Sequence, residues 1–198
     1  MKSTEGQLDL RIRRTHKLLW ESLFELMTQS KQRYSSITIN QICDLAMVHR
    51  TTFYKHFEDK DALLAFGLKK YQEEAFKIPL LERLTKPFQV IEQFLHHKEI
   101  GKIVESQMND KQFLNLIHYQ TFEIKKQENQ EFHRICKNHT IPIELIIEFH
   151  SGIITTLSTW WLQNRNNVSA KEMDRYFRQM INQDIFQFER EYMETFLV

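Results

Sequence analysis

The chain has 198 residues, a formal net charge of +1, 27% charged residues and 41% hydrophobic ones. Only 4 Gly and 3 Pro argue against turn-rich sandwiches, barrels and Gly-rich phosphate loops, while 15 Phe supply ample core material. The balance of charge and apolar residues excludes a disordered acidic or basic chain. Two cysteines, Cys43 and Cys136, make no disulfide framework, so a reducing, cytoplasmic setting is expected. Met1 to Asp9 is polar and does not read as a signal peptide. Residues 1–70 hold 12 Lys and Arg against 8 Asp and Glu, whereas residues 71–198 hold 15 against 18. A basic head on an acidic body fits an anionic partner for the head.

The hydrophobic spacing is helical almost throughout. Leu19, Leu23 and Met27 recur every four residues, downstream of Arg11, Arg13, Arg14 and Lys17. Lys31 to Ser36 is polar and reads as a loop. Thr38 offers an N-cap to a short helix with Ile39, Ile42, Leu45 and Ala46 as its apolar face. A break at Met47–His49 precedes a second short helix, Arg50 to His56. Asp59 caps the next, with Leu64, Leu68, Tyr71 and Ala75 in stripe. Pro79 and Pro87 punctuate the chain, and helices are expected around Phe88–Leu95 and Ile100–Met108. Asn109 or Asp110 caps a long helix reaching toward Lys137. Pro142 opens an apolar helix ending near Gln163. Ser169 and Glu172 form a capping box for a last helix striped by Phe177, Ile181, Ile185, Phe188, Tyr192 and Phe196. The spacing predicts an all-α chain of about nine helices, without strands or repeats.

Residues 37–64 are the most informative. In the second short helix Phe53 and Phe57 are i, i+4 partners that face inward, which turns Arg50, Thr51, Thr52, Tyr54, Lys55 and His56 outward. Such a helix can enter a major groove while its neighbour braces it. Arg can pair bidentately with guanine and Thr can touch a thymine methyl. Tyr, Lys, His and helix N-terminal amides suit phosphate oxygens. From the spacing alone, a solvated helix pair with ordinary surface charge stands equally open.

The runs Ile37-Thr38-Ile39-Asn40-Gln41-Ile42-Cys43, Ala46 to Phe57 and Asp59 to Leu64 resemble the DNA-binding head of the TetR family of bacterial transcriptional regulators. Thr52-Phe53-Tyr54-Lys55-His56-Phe57 is the most specific part, and Arg13-Arg14-Thr15 with Leu18-Leu19 also match. Toward the end, Phe149-His150-Ser151-Gly152, Trp160-Trp161-Leu162, Ser169 and Glu172 resemble the body of regulators of dihydroxyacetone kinase operons. The resemblance implies a helix-turn-helix head over residues 1–62 on a larger helical body over 63–198, in a two-fold homodimer. It implies DNA contacts from Thr38, His49, Arg50, Thr51, Thr52, Tyr54, Lys55, His56 and Lys60. The expected function is a cytoplasmic, bacterial, sequence-specific regulator, a repressor on a palindromic operator released by a small-molecule effector. The alternative is a partner-binding coactivator of the same fold that no longer binds DNA. Met47 stands where the family often has Gly; a positive φ there costs about 1 kcal/mol.

The last two helices are expected to pair two copies through Ile146, Ile153, Leu157, Trp161, Phe177, Ile181, Ile185 and Phe188, or else to be buried within one subunit. Phe94, Phe113, Tyr119, Phe122, Phe149 and Trp160 are candidates to line an effector pocket, although plain core is the simpler reading. His133, Cys136 and His139 spread about 120° around a helix, an awkward set for one metal ion. No cofactor or metal is expected. Glu144, Glu148 and His150 interrupt the apolar stretch too early for a membrane span. No Gly-rich phosphate loop, HExxH or nucleophile motif points to an enzyme.

Overall fold

A computed structural model describes residues 2–135 and 141–181, with the backbone alone for 2–8, 124 and 129. The described residues are helical and contain no strand. In order they form α1 (Lys2–Thr28), a 3-10 turn (Tyr34–Ser36), α2 (Ile39–Ala46), α3 (Arg50–His56), α4 (Lys60–Phe76), α5 (Leu80–Thr85), α6 (Pro87–Leu95), α7 (Lys98–Gln107), α8 (Lys111–Gln127), α9 (Asn129–Ile135), α10 (Ile143–Asn164) and α11 (Ala170–Met180).

The described residues alone hold eleven α-helices, against about nine expected for the chain. Pro79 initiates α5, which lacks the length to show a periodic stripe. The long helix expected from Asp110 ends at Gln127, where Glu128 N bonds Lys125 O in a tightened turn before α9. Asp110 does cap α8, accepting from Phe113 N at 3.0 Å. The expected residues beyond Ile181, including Ile185 and Phe188, lie outside the described residues, as do Cys136 and His139.

The chain divides into two compact units, residues 1–73 with 99–113, and residues 74–98 with 114–198. The first takes in α4 as far as Glu73, nearly all of α7 and the start of α8 in addition to residues 1–62. Leu19, Leu23, Met27, Ile42, Phe53, Leu63 and Leu64 are fully buried in its core, and Ile103 of α7 is buried as well. Gly67 is a close approach between α4 and α1, since a Cβ there would fall 2.0 Å from the Trp20 ring. Tyr34, expected in a polar loop, is buried at 0% exposure.

The second unit packs α5, α6, α9, α10 and α11 around Phe88, Phe132, Ile147, Trp161 and Phe177. Asp174 on α11 anchors the start of α6, accepting from Phe88 N at 2.8 Å and from the Gln89 backbone and side chain. Burial outweighs these bonds and holds its carboxyl above the usual range. Trp161 Nε1 donates to Val168 O, tying α10 to the approach of α11.

This core corrects the expected dimer face. Ile146, Trp161, Phe177 and Ile181 are buried within the unit, because their face of α10 and α11 is already covered by α6 and its neighbours. Ile153 and Leu157 are only partly buried. The opposite face of α10 is the open one, with Leu145, Phe149 and Trp160 at 58%, 52% and 49% exposure. These positions, with Thr156, fall within one stripe of the helix.

Candidate nucleic-acid interface

Helix α2 begins with a complete capping box. The Thr38 hydroxyl accepts from Gln41 N at 3.2 Å, and Gln41 Oε1 accepts from Thr38 N at 2.9 Å. Helix α2 ends in a Schellman motif: Val48 N bonds Cys43 O, and Met47 N bonds Asp44 O. Met47 occupies the left-handed position at φ 52°, ψ 40°, and is 94% exposed. The chain therefore keeps the tight turn that a glycine would favour, at a conformational cost.

Helix α3 follows immediately. His49 is its N-cap, with Nδ1 accepting from Thr51 N at 3.3 Å. Phe53 and Phe57 are buried as expected, with ring centroids 5.9 Å apart. Arg50, Thr51, Tyr54 and Lys55 are exposed on the other side, with Thr52 and His56 at its margins. Arg50 lies along Tyr54: Nη2 donates to the phenol oxygen at 3.2 Å, and the guanidinium sits 5.4 Å from the ring centroid. That contact holds the guanidinium along the helix surface at small entropic cost. His56 meets the ring of His16 from α1 edge-on at 5.0 Å. Burial, then the charge of His56, holds the His16 imidazole below its ordinary range.

Two expected contact residues are differently engaged. Thr38 donates both its amide and its hydroxyl to Gln41 Oε1, so either reaches a phosphate only by leaving the capping box. Lys60 does not project its ammonium outward. Its Nζ donates to Tyr34 O at 2.7 Å and Ile37 O at 2.9 Å, and lies 4.5 Å from the Tyr34 ring centroid. Burial holds its pKa below the ordinary lysine value, against the opposing pull of Asp61 and Asp110. The resemblance implied a phosphate contact by the amide or the side chain of Lys60, and the side chain is engaged within the head.

Sequence reasoning missed the residues that fix the approach to α2. The Tyr34 hydroxyl donates to Asp61, and Tyr34 N donates to Gln107 Oε1 at 2.7 Å. Burial, then this bond to Asp61, raises the phenol pKa far above its ordinary value. Gln107 is fully buried, and its Nε2 donates to Met27 O and Gln32 O. Asp110 accepts from the amide and hydroxyl of Ser35. Burial pushes its carboxyl upward, but the bonds from Ser35, Phe113 and Gln112 together outweigh it and leave the pKa low. A glutamine ending an amphipathic helix and an aspartate before the next carry no long-range signal in sequence.

The six candidate pocket residues are divided between the two units. Phe113 belongs to the first unit, 3% exposed, with its ring 6.2 Å from Tyr34. The other five belong to the second unit, where Tyr119, Phe149 and Trp160 are half-exposed and Phe94 stacks on His97. Among the described residues no group of His, Cys, Asp and Glu could hold a metal ion, and no helix is long and apolar enough to cross a membrane.

No family model matches the chain. An uncharacterized HTH-type transcriptional regulator of Bacillus subtilis (strain 168), YxbF, is 35% identical over 63 residues. That match covers 32% of this chain and only 16% of the relative's length. A TetR transcriptional regulator from Streptococcus agalactiae 2603V superposes with a TM-score of 0.62 at 20% identity, over 90% of this chain and 99% of that one.

Proposed function

From the fold of a TetR-type transcriptional regulator, which this chain has, we propose that it binds double-stranded DNA through α3 and regulates transcription in the bacterial cytoplasm. The observation that carries this reading is the exposed row of Arg50, Thr51, Tyr54 and Lys55 on a helix fixed at both ends. Arg50 and Thr51 read base edges, while Tyr54, Lys55 and His49 serve the sugar–phosphate backbone. The partial match to an HTH-type regulator supports the reading.

The chain acts as a homodimer on a palindromic operator, as a repressor released by a small-molecule effector held in the body. Two-fold pairing through the open stripe of α10, Leu145, Phe149 and Trp160, would bury an apolar row that water otherwise meets. Met47 and the modest charge of the head favour the non-DNA coactivator reading, but Met47 adopts the turn without displacing the caps of α2 or α3.

A gel shift with fragments from upstream of the protein's own gene tests the proposal. A discrete complex that weakens steeply with salt supports it. Equal retention of unrelated DNA, or none at all, contradicts it.

A further inference from the structure

Within the second unit a lysine is buried without a carboxylate bound to it. Lys125 on α8 is 7% exposed, and its Nζ hydrogen-bonds His150 Nδ1 at 2.9 Å and Ser151 Oγ at 3.2 Å, both on α10. Among the described residues the charged groups nearby are Arg83 of α5 and Glu128, which follows α8. Those two bind each other through both carboxylate oxygens, with side chains 11% and 13% exposed. His150 is 1% exposed, its ring edge-on to Phe177, and burial followed by the charge of Lys125 keeps it neutral.

The charges leave a remainder. Arg83 and Glu128 cancel, His150 is neutral, and a protonated Lys125 is one positive charge in excess. A buried ion needs a partner or loses its charge. Two turns further along lies another polar point: Ser158, seven positions beyond Ser151 and so on the same face of α10, has a buried hydroxyl with no hydrogen bond.

We propose that Lys125, with Ser151 and His150, forms a binding site for a small monocarboxylate in the body. The carboxylate supplies the single negative charge the array lacks, and Ser151 turns its hydroxyl to donate to it. A dianion such as phosphate would overshoot the charge balance and is harder to desolvate. Burial draws the lysine pKa down to about 7, with Arg83 adding to the effect, so the free site is largely neutral in mild alkali. Binding then brings a proton with the anion. The inference names the chemistry of the effector in the reading above and rests on it for any regulatory meaning; the binding itself does not.

The test uses the full chain with acetate, butyrate and benzoate against chloride at equal ionic strength. Thermal denaturation and titration calorimetry are run at pH 8.5 in two buffers of different ionisation enthalpy. At least one carboxylate raises the melting temperature and binds with uptake of about one proton. Lys125→Met, itself folded and melting no lower than the parent, loses that binding by roughly tenfold or more, and Ser151→Ala weakens it while keeping the proton uptake. Absence of carboxylate binding, equal binding in Lys125→Met, binding without proton uptake, or a response to inorganic phosphate alone overturns the site. Operator affinity measured with and without the carboxylate separates the two readings. An unchanged affinity with intact proton-linked binding removes the regulatory role and leaves the site standing.

Discussion

The ammonium of Lys60 donates to the carbonyl oxygen of Tyr34 at 2.7 Å, from the first residue of α4 to the turn that leads into α2. With Ile37 O as its second acceptor, Lys60 ties the chain entering α2 to the start of α4. Replacing it with methionine leaves two shielded carbonyls short of a donor and lowers stability by about 1–3 kcal/mol. The folded variant keeps the salt dependence of DNA binding, because the ammonium faces the protein. Urea denaturation beside a salt titration reads both; a slope shallower by about one would place the ammonium on a phosphate instead.

Gln107 grips the same segment from α7. Gln107→Leu keeps the size but leaves Tyr34 N without its acceptor and Met27 O and Gln32 O without a donor. The expected loss is roughly 2 kcal/mol or more. Hydrogen exchange reads it locally, as faster exchange at the Tyr34 amide than at α3. Unchanged protection of that amide would contradict the account.

Met47 holds a left-handed conformation with its side chain in solvent. Met47→Gly relieves the backbone strain and removes nothing packed, so it stabilises the head by about 0.5–1 kcal/mol. Met47→Ile, branched at Cβ, destabilises it. Denaturation midpoints of the two variants should move in opposite directions.

Lys125 sets a pH dependence. Burial, with Arg83 second, draws its pKa from 10.5 to about 7 in the folded protein. The unfolded chain therefore binds the extra proton between these values, and stability rises with pH across that window at up to about 1.4 kcal/mol per unit. Below pH 7 the penalty is at its full size. His150, whose pKa is lowered well below 6.5 by burial and then by Lys125, adds further loss of stability as pH falls below 6.5. Melting temperatures between pH 7.5 and 9 should climb for the parent and stay nearly level for Lys125→Met.

The head was legible because its signals are local. Thr38 as an N-cap, the Phe53–Phe57 pair, and Asp59, which accepts from Ala62 N at 2.7 Å, each act within four residues, and each appears where the spacing put it. The same is true of Ser169 with Glu172 in the body. The internal bonds of Lys60 were not legible because its partners, Tyr34 and Ile37, lie more than twenty residues earlier, and the resemblance that implied a phosphate contact says nothing of them. The bonds of Gln107 to Tyr34 and of Asp110 to Ser35 were invisible for the same reason, at separations above seventy residues. Trp161 and Phe177 looked like interface anchors because periodicity finds an apolar stripe without saying what covers it. Here α6 does, through Phe88 against both rings.

The central claim is that α3 grips a DNA duplex, and fluorescence anisotropy with a labelled upstream fragment tests it most directly. The parent, Arg50→Ala and Lys55→Ala are titrated at several salt concentrations. Lys55→Ala should weaken binding to every sequence and flatten the salt slope by about one, while Arg50→Ala should relax discrimination at one base position by about 1–3 kcal/mol. Binding that is indifferent to both substitutions would place the contact elsewhere on the chain and contradict the account.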